Sequence, residues 1–140
     1  MWPGPLAIIV TASLYFGIVF TFAFAMGVAR VLVIAPRIGP VAAVFVEVPI
    51  ILAASWLVAR RLLRRQTLGF ANRMAVGALA FVLLMASEGL LASVMLGQSA
   101  GQWAAALATP LGLVGLTGQF GFAAIPVLAA GERAVRKGGR

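Results

Sequence analysis

Long apolar runs separated by short polar segments dominate this chain of 140 residues. Residues 6–29 carry no charge, and each of the later apolar runs holds few ionisable side chains. A helix of about 20 apolar residues crosses a hydrocarbon core about 30 Å thick. The pattern therefore predicts one membrane domain with four spanning helices, at about residues 6–35, 41–59, 74–96 and 103–130.

The composition supports this prediction. Hydrophobic residues make up 63% of the chain, charged residues make up 10%, and the mean hydropathy is +1.09. Soluble domains contain about 45–50% apolar and about 25% charged residues. We therefore expect an all-α integral membrane protein built as a four-helix bundle. The first apolar run is expected to stay as a helix, because it lacks a basic leader and exceeds the length typical of a signal peptide.

Proline and glycine mark the boundaries between the predicted spans. Pro36, Gly39 and Pro40 predict a turn between the first two spans, and the segment GQSAGQ predicts a turn at residues 97–102. Pro49 lies inside the second span, where its ring removes a helical hydrogen bond and crowds a carbonyl. We therefore predict a helix kink at Pro49.

The formal net charge is +8, and most of this charge lies in two basic clusters. One cluster joins the second and third spans, and the other forms the C-terminal tail: Arg60, Arg61, Arg64, Arg65 and Arg73, then Arg133, Arg136, Lys137 and Arg140. Basic residues beside apolar spans mark cytoplasmic segments. Four spans then place both termini in the cytoplasm, with anionic lipid headgroups as the expected contact. Nucleic acid is not expected as a partner, because no aromatic residues are interleaved with these charges.

Several kinds of chemistry are unavailable to this chain. It contains no Cys, no His and no Asp, which excludes thiolate chemistry and His-based metal, haem and triad sites. The serines of the spans have no intramembrane His or Lys to activate them. We therefore expect no cofactor, no metal and no enzymatic activity.

Three ionisable residues lie within the apolar runs: Arg30, Glu47 and Glu88. At about 1.5 Å per residue, each lies roughly 9–13 Å from the outer end of its span. Charges at such depth are costly and normally face a protein interior or a wet cavity. We therefore predict an Arg30–Glu47–Glu88 network inside the bundle. One arginine fully satisfies one carboxylate, so the second glutamate would tend to be protonated.

Small residues are expected to mediate helix packing. Gly27 shares a helix face with Arg30, and the last span carries a glycine at every third position: Gly112, Gly115, Gly118 and Gly121. Small residues let membrane helices approach closely, and this is the favoured interpretation. The alternative is a distorted or interrupted helix that lines a cavity, with Thr117 and Gln119 offering polar contacts.

The segment from Gly27 to Arg65, followed by LLMASEGLL at residues 83–91, resembles a family of uncharacterised small four-helix bacterial inner-membrane proteins. The shared features are Arg30 to Leu32 before Pro36, the pair Glu47 and Pro49, and the basic helix end at residues 60–61. The resemblance covers nearly the whole chain. It implies a multi-pass protein of the bacterial inner membrane and brings no activity with it.

Two functions remain open from the sequence. The favoured one is an accessory or structural membrane subunit, in which the charged network fixes the helices and the small residues of spans one and four face a partner. The alternative is a small proton- or ion-coupled solute transporter that uses Glu47 and Glu88. A homo-oligomer or a larger membrane complex is compatible with both, since four helices enclose little volume.

Overall fold

A computed structural model describes residues 4–137 of the chain, with side-chain surroundings for residues 4–130. Every element in this part is helical: α1 (Pro5–Ala29), a π-helical turn (Arg30–Ile34), α2 (Ala35–Ile38), α3 (Pro40–Leu63), α4 (Phe70–Leu96), α5 (Ala100–Leu107) and α6 (Pro110–Lys137). Four helical stretches are long and apolar enough to cross a membrane: Pro5–Ile38, Pro40–Leu63, Phe70–Leu96 and Pro110–Ala130. The prediction of an all-helical chain with four candidate spans is confirmed.

The first candidate span continues past the predicted turn. The chain stays helical through Pro36 and breaks only at Gly39, whose φ of 87° is accessible mainly to glycine. Just before Pro36 the helix widens into the π turn, where the Ala35 N–H bonds to the Arg30 carbonyl. A proline ring crowds the carbonyl four residues earlier, and the wider turn gives that carbonyl room. The resulting stretch of 34 residues is about 51 Å long.

The fourth candidate span begins later than predicted. The sequence pattern favoured one helix from Trp103, whereas the structure has the separate helix α5 before α6 starts at Pro110. Ser99 and Gln102 form a reciprocal capping box at the start of α5. The Thr109 hydroxyl accepts a 3.1 Å hydrogen bond from the Gly112 N–H, and Pro110 opens α6. These start signals outweigh the continuous apolar composition.

The basic connection between the middle helices is shorter than the sequence pattern indicated. Helix α3 continues to Leu63 and α4 begins at Phe70, so the connection covers residues 64–69 instead of 60–73. Gln66 fixes this connection to α1, because its side chain lies 3.1 Å from the Thr11 hydroxyl. The same amide donates to the Leu62 carbonyl at 3.2 Å. The connection is therefore held against the bundle.

The four long helices form a ring. Helix α3 packs against α1 and α6, and α4 also packs against α1 and α6. Within the described residues, the backbones of α3 and α4 do not approach each other, and neither do those of α1 and α6. The order around the ring is therefore α1, α3, α6, α4, with α3 diagonally opposite α4.

The core lies towards the end of the bundle that carries the basic connection. It is formed by small and medium apolar side chains from all four long helices: Ala12, Tyr15, Val19, Ala59, Leu63, Val76, Ala80, Phe122 and Ile125. Tyr15 crosses the bundle from α1 and stacks on Phe122 of α6, with ring centroids 4.5 Å apart. Large apolar side chains elsewhere, such as Leu14 and Ile18, are exposed on the outside of the bundle. This distribution suits a protein surrounded by lipid.

Glycines allow three close approaches involving α6. A Cβ at Gly118 would lie 2.9 Å from Val48 Cγ1, and one at Gly121 would lie 3.0 Å from Leu52 Cδ2. A Cβ at Gly112 would overlap the carbonyl of Ala106 at the end of α5, whereas Gly115 has no neighbour within 4 Å. Three of the four predicted packing glycines of α6 therefore face their own chain, which leaves little of this stripe for a partner.

The tightest approach was not predicted. A Cβ at Gly77 of α4 would overlap the carbonyl oxygen of Ala123 in α6. Gly77 and Ala80 are both buried, so small residues line this side of α4. The sequence gives Gly77 no repeat or motif, and only its packing partner reveals its role.

Candidate functional site

Arg30 and Glu47 form an ion pair between the π turn and α3. Arg30 Nε lies 2.5 Å from Glu47 Oε2, and the two side chains are 28% and 10% exposed. Although this distance is short, Nε makes no well-directed hydrogen bond, so the contact is an ion pair by proximity. The pair compensates the charge of the buried carboxylate, as the sequence predicted for these two residues.

Gly27 of α1 lies next to this ion pair. It lies three residues before Arg30, on the same helix face, and a Cβ at Gly27 would stand 3.7 Å from Glu47 Oε1. This is an ordinary van der Waals distance, so the second carboxylate oxygen lies next to α1 without needing a glycine there. Gly27, Arg30 and Glu47 therefore form one contact between α1 and α3.

Glu88 has a different partner from the predicted one. The Gln119 side chain of α6 donates a hydrogen bond from Nε2 to Glu88 Oε2 at 2.5 Å. Within the described residues, Glu88 makes no ion pair with Arg30. The structure thus divides the predicted network into an Arg30–Glu47 pair and a Glu88–Gln119 pair. The reason is the ring order, since Glu47 and Glu88 lie on the diagonally opposite helices α3 and α4.

The two polar pairs lie at a similar level of the bundle. Val48 of α3 packs against Gly118 of α6, and the residues next to this contact are Glu47 and Gln119. The sequence predicts that the intramembrane charges lie at similar depth. The contact between Val48 and Gly118 places one member of each pair at one level, on opposite sides of the ring.

Gln119 has one unsatisfied polar atom. Its Oε1 is buried and has no hydrogen-bond partner among the described residues. A buried carbonyl oxygen without a donor is costly in an apolar environment. The sequence indicates Gln119 only as a source of polar contacts, because no spacing rule connects it to Glu88.

Pro49 lies two residues after Glu47, inside a helix that continues to Leu63. The predicted kink at Pro49 remains a prediction. The side chains of Arg60, Arg61, Arg64 and Arg65 are exposed around the basic connection, and Arg73 is partly exposed. The side chains of the basic tail, at residues 133–140, lie outside the described residues.

A groove of about 490 Å³ lies beside α4 and α5. Its lining is mostly apolar and consists of Phe81, Val82, Met85, Ala86, Gly89, Ser93, Ala100 and Trp103. The Trp103 ring lies against Gly89, at 3.6 Å from where a Cβ would be. Neither glutamate lines this groove, so it does not open onto either polar pair.

Within the described residues, no three His, Cys, Asp or Glu side chains are close enough together to hold a metal ion. Comparison of the chain with protein-family profiles, curated protein sequences and solved structures gives no match. The geometry of the two polar pairs and the distribution of charge are therefore the features that bear on function.

Proposed function

We propose that the protein is an accessory or structural subunit of the bacterial inner membrane. The observation that supports this proposal is the compensation of Glu47 by Arg30. The carboxylate is 10% exposed, contacts Gly27 on one side and lies beside the guanidinium on the other. Such a pair fixes the position of α1 against α3 and gives the Glu47 carboxylate a partner from the same chain.

Both termini lie in the cytoplasm in this proposal. The exposed arginines of the connection at 64–69 and of the adjoining helix end mark that side of the membrane. The natural absence of cysteine makes the orientation directly testable. Thr67→Cys lies in the basic connection, and Gln98→Cys lies in the turn between α4 and α5.

An impermeant maleimide should label Gln98→Cys in intact cells and should label Thr67→Cys only after the membrane is permeabilised. The cysteine-free parent controls for background labelling. The opposite labelling pattern would reverse the proposed orientation, and labelling of both sites in intact cells would contradict membrane insertion as proposed.

Anionic lipid headgroups are the proposed contact of the basic side. Exposed arginines near a membrane surface each gain about 1 kcal/mol from anionic lipids. The protein should unfold at a higher temperature in vesicles with phosphatidylglycerol than in vesicles of phosphatidylcholine alone. Replacing Arg60, Arg61 and Arg65 by Gln should remove most of this difference, and an unchanged difference would refute the contact.

The subunit role predicts a stable partner in the membrane, either a second copy or another membrane protein. In-cell crosslinking followed by mild detergent extraction of the full chain should give a complex of fixed stoichiometry. Matched photo-crosslinking positions are Gly17, which has open space around it, and Gly121, which faces Leu52 of its own chain. Isolation of the lone chain from both positions would contradict the proposal.

A second function, a small proton- or ion-coupled carrier, is favoured by one observation. Glu88 lies beside a neutral amide instead of a cation. Reconstituted parent protein would then carry cationic solutes in exchange for protons, Glu88→Gln would abolish the flux, and Glu47→Gln would leave part of it if the protein folds. Absence of flux in the parent under every gradient would remove the carrier role.

A further inference from the structure

Among residues 4–130, the helices that pack against α4 carry no charge that could balance an ionised Glu88 carboxylate. Helix α4 packs against α1, α5 and α6, and none of these carries a charged residue up to Ala130. Arg30 follows α1 and pairs with Glu47. Arg73 is on α4 itself, 15 residues before Glu88, which corresponds to about 22 Å of helix. The titratable group of α1, the Tyr15 hydroxyl, donates to the Phe122 carbonyl.

The hydrogen-bonding groups of Gln119 indicate which protonation state of Glu88 fits the pair. An amide has two donors on its nitrogen and an acceptor oxygen. Gln119 Nε2 donates to Glu88, while Oε1 is buried and finds no donor in the part of the chain that the structure describes. An ionised carboxylate only accepts hydrogen bonds and cannot supply a donor to Oε1.

A neutral carboxylic acid supplies the hydrogen-bond donor that Gln119 Oε1 lacks. It has one O–H donor and still accepts through its carbonyl oxygen. In a reciprocal acid–amide pair, the acid donates its proton to the amide oxygen while it accepts from the amide nitrogen. The acid and the amide then form a reciprocal pair that satisfies both polar atoms of Gln119.

We propose that Glu88 and Gln119 form a proton-binding site within the bundle, in which Glu88 carries the proton and Gln119 binds the neutral acid. Glu47 lies beside the guanidinium of Arg30 and takes no part in this site. This proposal goes beyond the subunit role and does not depend on it. The ligand of the site is a proton.

The first test uses the unaltered protein. A hydrophobic carbodiimide adds to a carboxylic acid in apolar surroundings: the acid proton moves to a carbodiimide nitrogen, and the carboxylate oxygen bonds to the central carbon. Rearrangement gives a stable N-acylurea that peptide mass mapping locates. At neutral pH in reconstituted vesicles, Glu88 should be modified at least tenfold more than Glu47. Equal modification of both residues, or modification of Glu47 alone, would overturn the proposal.

The second test reads the protonation state by infrared spectroscopy. Because the chain has only three acidic side chains, the C=O stretching band of a neutral acid can be assigned by difference spectra. The band should be present at neutral pH, absent in Glu88→Gln and retained in Glu47→Gln. In Gln119→Leu the band should move to higher frequency, since the acid carbonyl loses the Nε2 donor.

Gln119→Leu keeps Glu88 in place, so the test remains decisive if Glu88→Gln fails to fold. An unshifted band in Gln119→Leu would show that Gln119 does not bind the acid. A missing band in the parent at neutral pH would show that Glu88 is ionised. Loss of the band on adding sodium at constant pH would assign the site to a metal cation. Each of these results overturns the proposal.

Discussion

The hydroxyl of Tyr15 donates a 2.7 Å hydrogen bond to the main-chain oxygen of Phe122, across the diagonal of the helix ring. This carbonyl is free because its normal helical donor would be the N–H of residue 126, which is a proline. Pro126 and Tyr15 are both fully buried. The side chain of one helix thus satisfies the hydrogen bond that proline removes from another.

Tyr15→Phe should destabilise the protein by about 1–3 kcal/mol, because it leaves the Phe122 carbonyl buried without a donor. Pro126→Ala supplies a backbone N–H for the same carbonyl. In the Pro126→Ala background, Tyr15→Phe should therefore cost less than half as much. Unfolding free energies in mixed micelles complete this double-mutant cycle. Equal costs of Tyr15→Phe in the two backgrounds would show that proline does not create the need for the hydroxyl.

Gly77→Ala should weaken the contact between α4 and α6 strongly. The new methyl group would overlap the Ala123 carbonyl, and a backbone atom cannot move aside without shifting a helix. We expect a loss of more than about 2 kcal/mol, typical of overpacking between close elements. Thermal unfolding in detergent measures the change.

The matched control for Gly77→Ala is Gly115→Ala, which also lies within a long helix but has no neighbour within 4 Å. It should be neutral or stabilising by up to about 1 kcal/mol, because alanine is the better helix former. If both substitutions have the same effect, the close approach at Gly77 does not limit stability.

Glu47→Gln should destabilise the bundle, because it leaves Arg30 without a counter-charge. Breaking a fully buried pair costs about 3–5 kcal/mol, and the partial exposure of Arg30 reduces this value. The double variant Arg30→Gln with Glu47→Gln should recover most of the loss. Chemical unfolding of the three proteins in the same micelles provides the comparison, and a double variant less stable than Glu47→Gln would contradict the pairing.

Glu88→Gln is the contrasting substitution. Since the proposed state of Glu88 is neutral, a carboxamide replaces it without removing a charge, and we expect a loss below about 1 kcal/mol. The same unfolding measurement applies. A loss as large as that of Glu47→Gln would indicate that Glu88 is ionised in the folded protein.

Gly39→Ala should cost about 1–3 kcal/mol through the backbone alone. Gly39 has φ 87° and ψ 156°, a conformation nearly restricted to glycine, and there is open space around its Cβ position. Gly4→Ala is the control, because Gly4 has φ −64° and equally open surroundings. Similar melting temperatures for the two variants would argue against a strained connection between α2 and α3.

The helical class and the candidate spans follow from composition and run length, since an apolar chain has few other ways to satisfy its backbone. The positions at which the helices begin and end were harder to predict. The sequence predicts a turn at Pro36, because it does not show that a π turn makes room for the proline ring and lets the helix continue. Trp103 looked like the start of a span because short capping signals at Ser99 and Thr109 compete with a continuous apolar pattern.

The pairing of Arg30 with Glu47 was predictable because their helices are consecutive and joined by a short connection. The partner of Glu88 was not, because it depends on the order of helices around the ring. That order places α6 beside α4 and brings Gln119 to Glu88. Pairing opposite charges along the sequence cannot identify a neutral partner such as Gln119.

The unequal lengths of the first and last spans have a consequence for the surrounding lipid. The stretch Pro5–Ile38 is about 51 Å long, whereas the apolar part of α6, Pro110–Ala130, is about 31 Å long before the helix continues to Lys137. In the proposed membrane arrangement, no single bilayer thickness matches both lengths, so the longer helical stretch would tilt or extend past the headgroups. Helix α5 lies at the start of the shorter one and carries Trp103, a residue suited to the interface. We expect the hydrocarbon layer of the bilayer to be thicker beside the first helical stretch than beside α6.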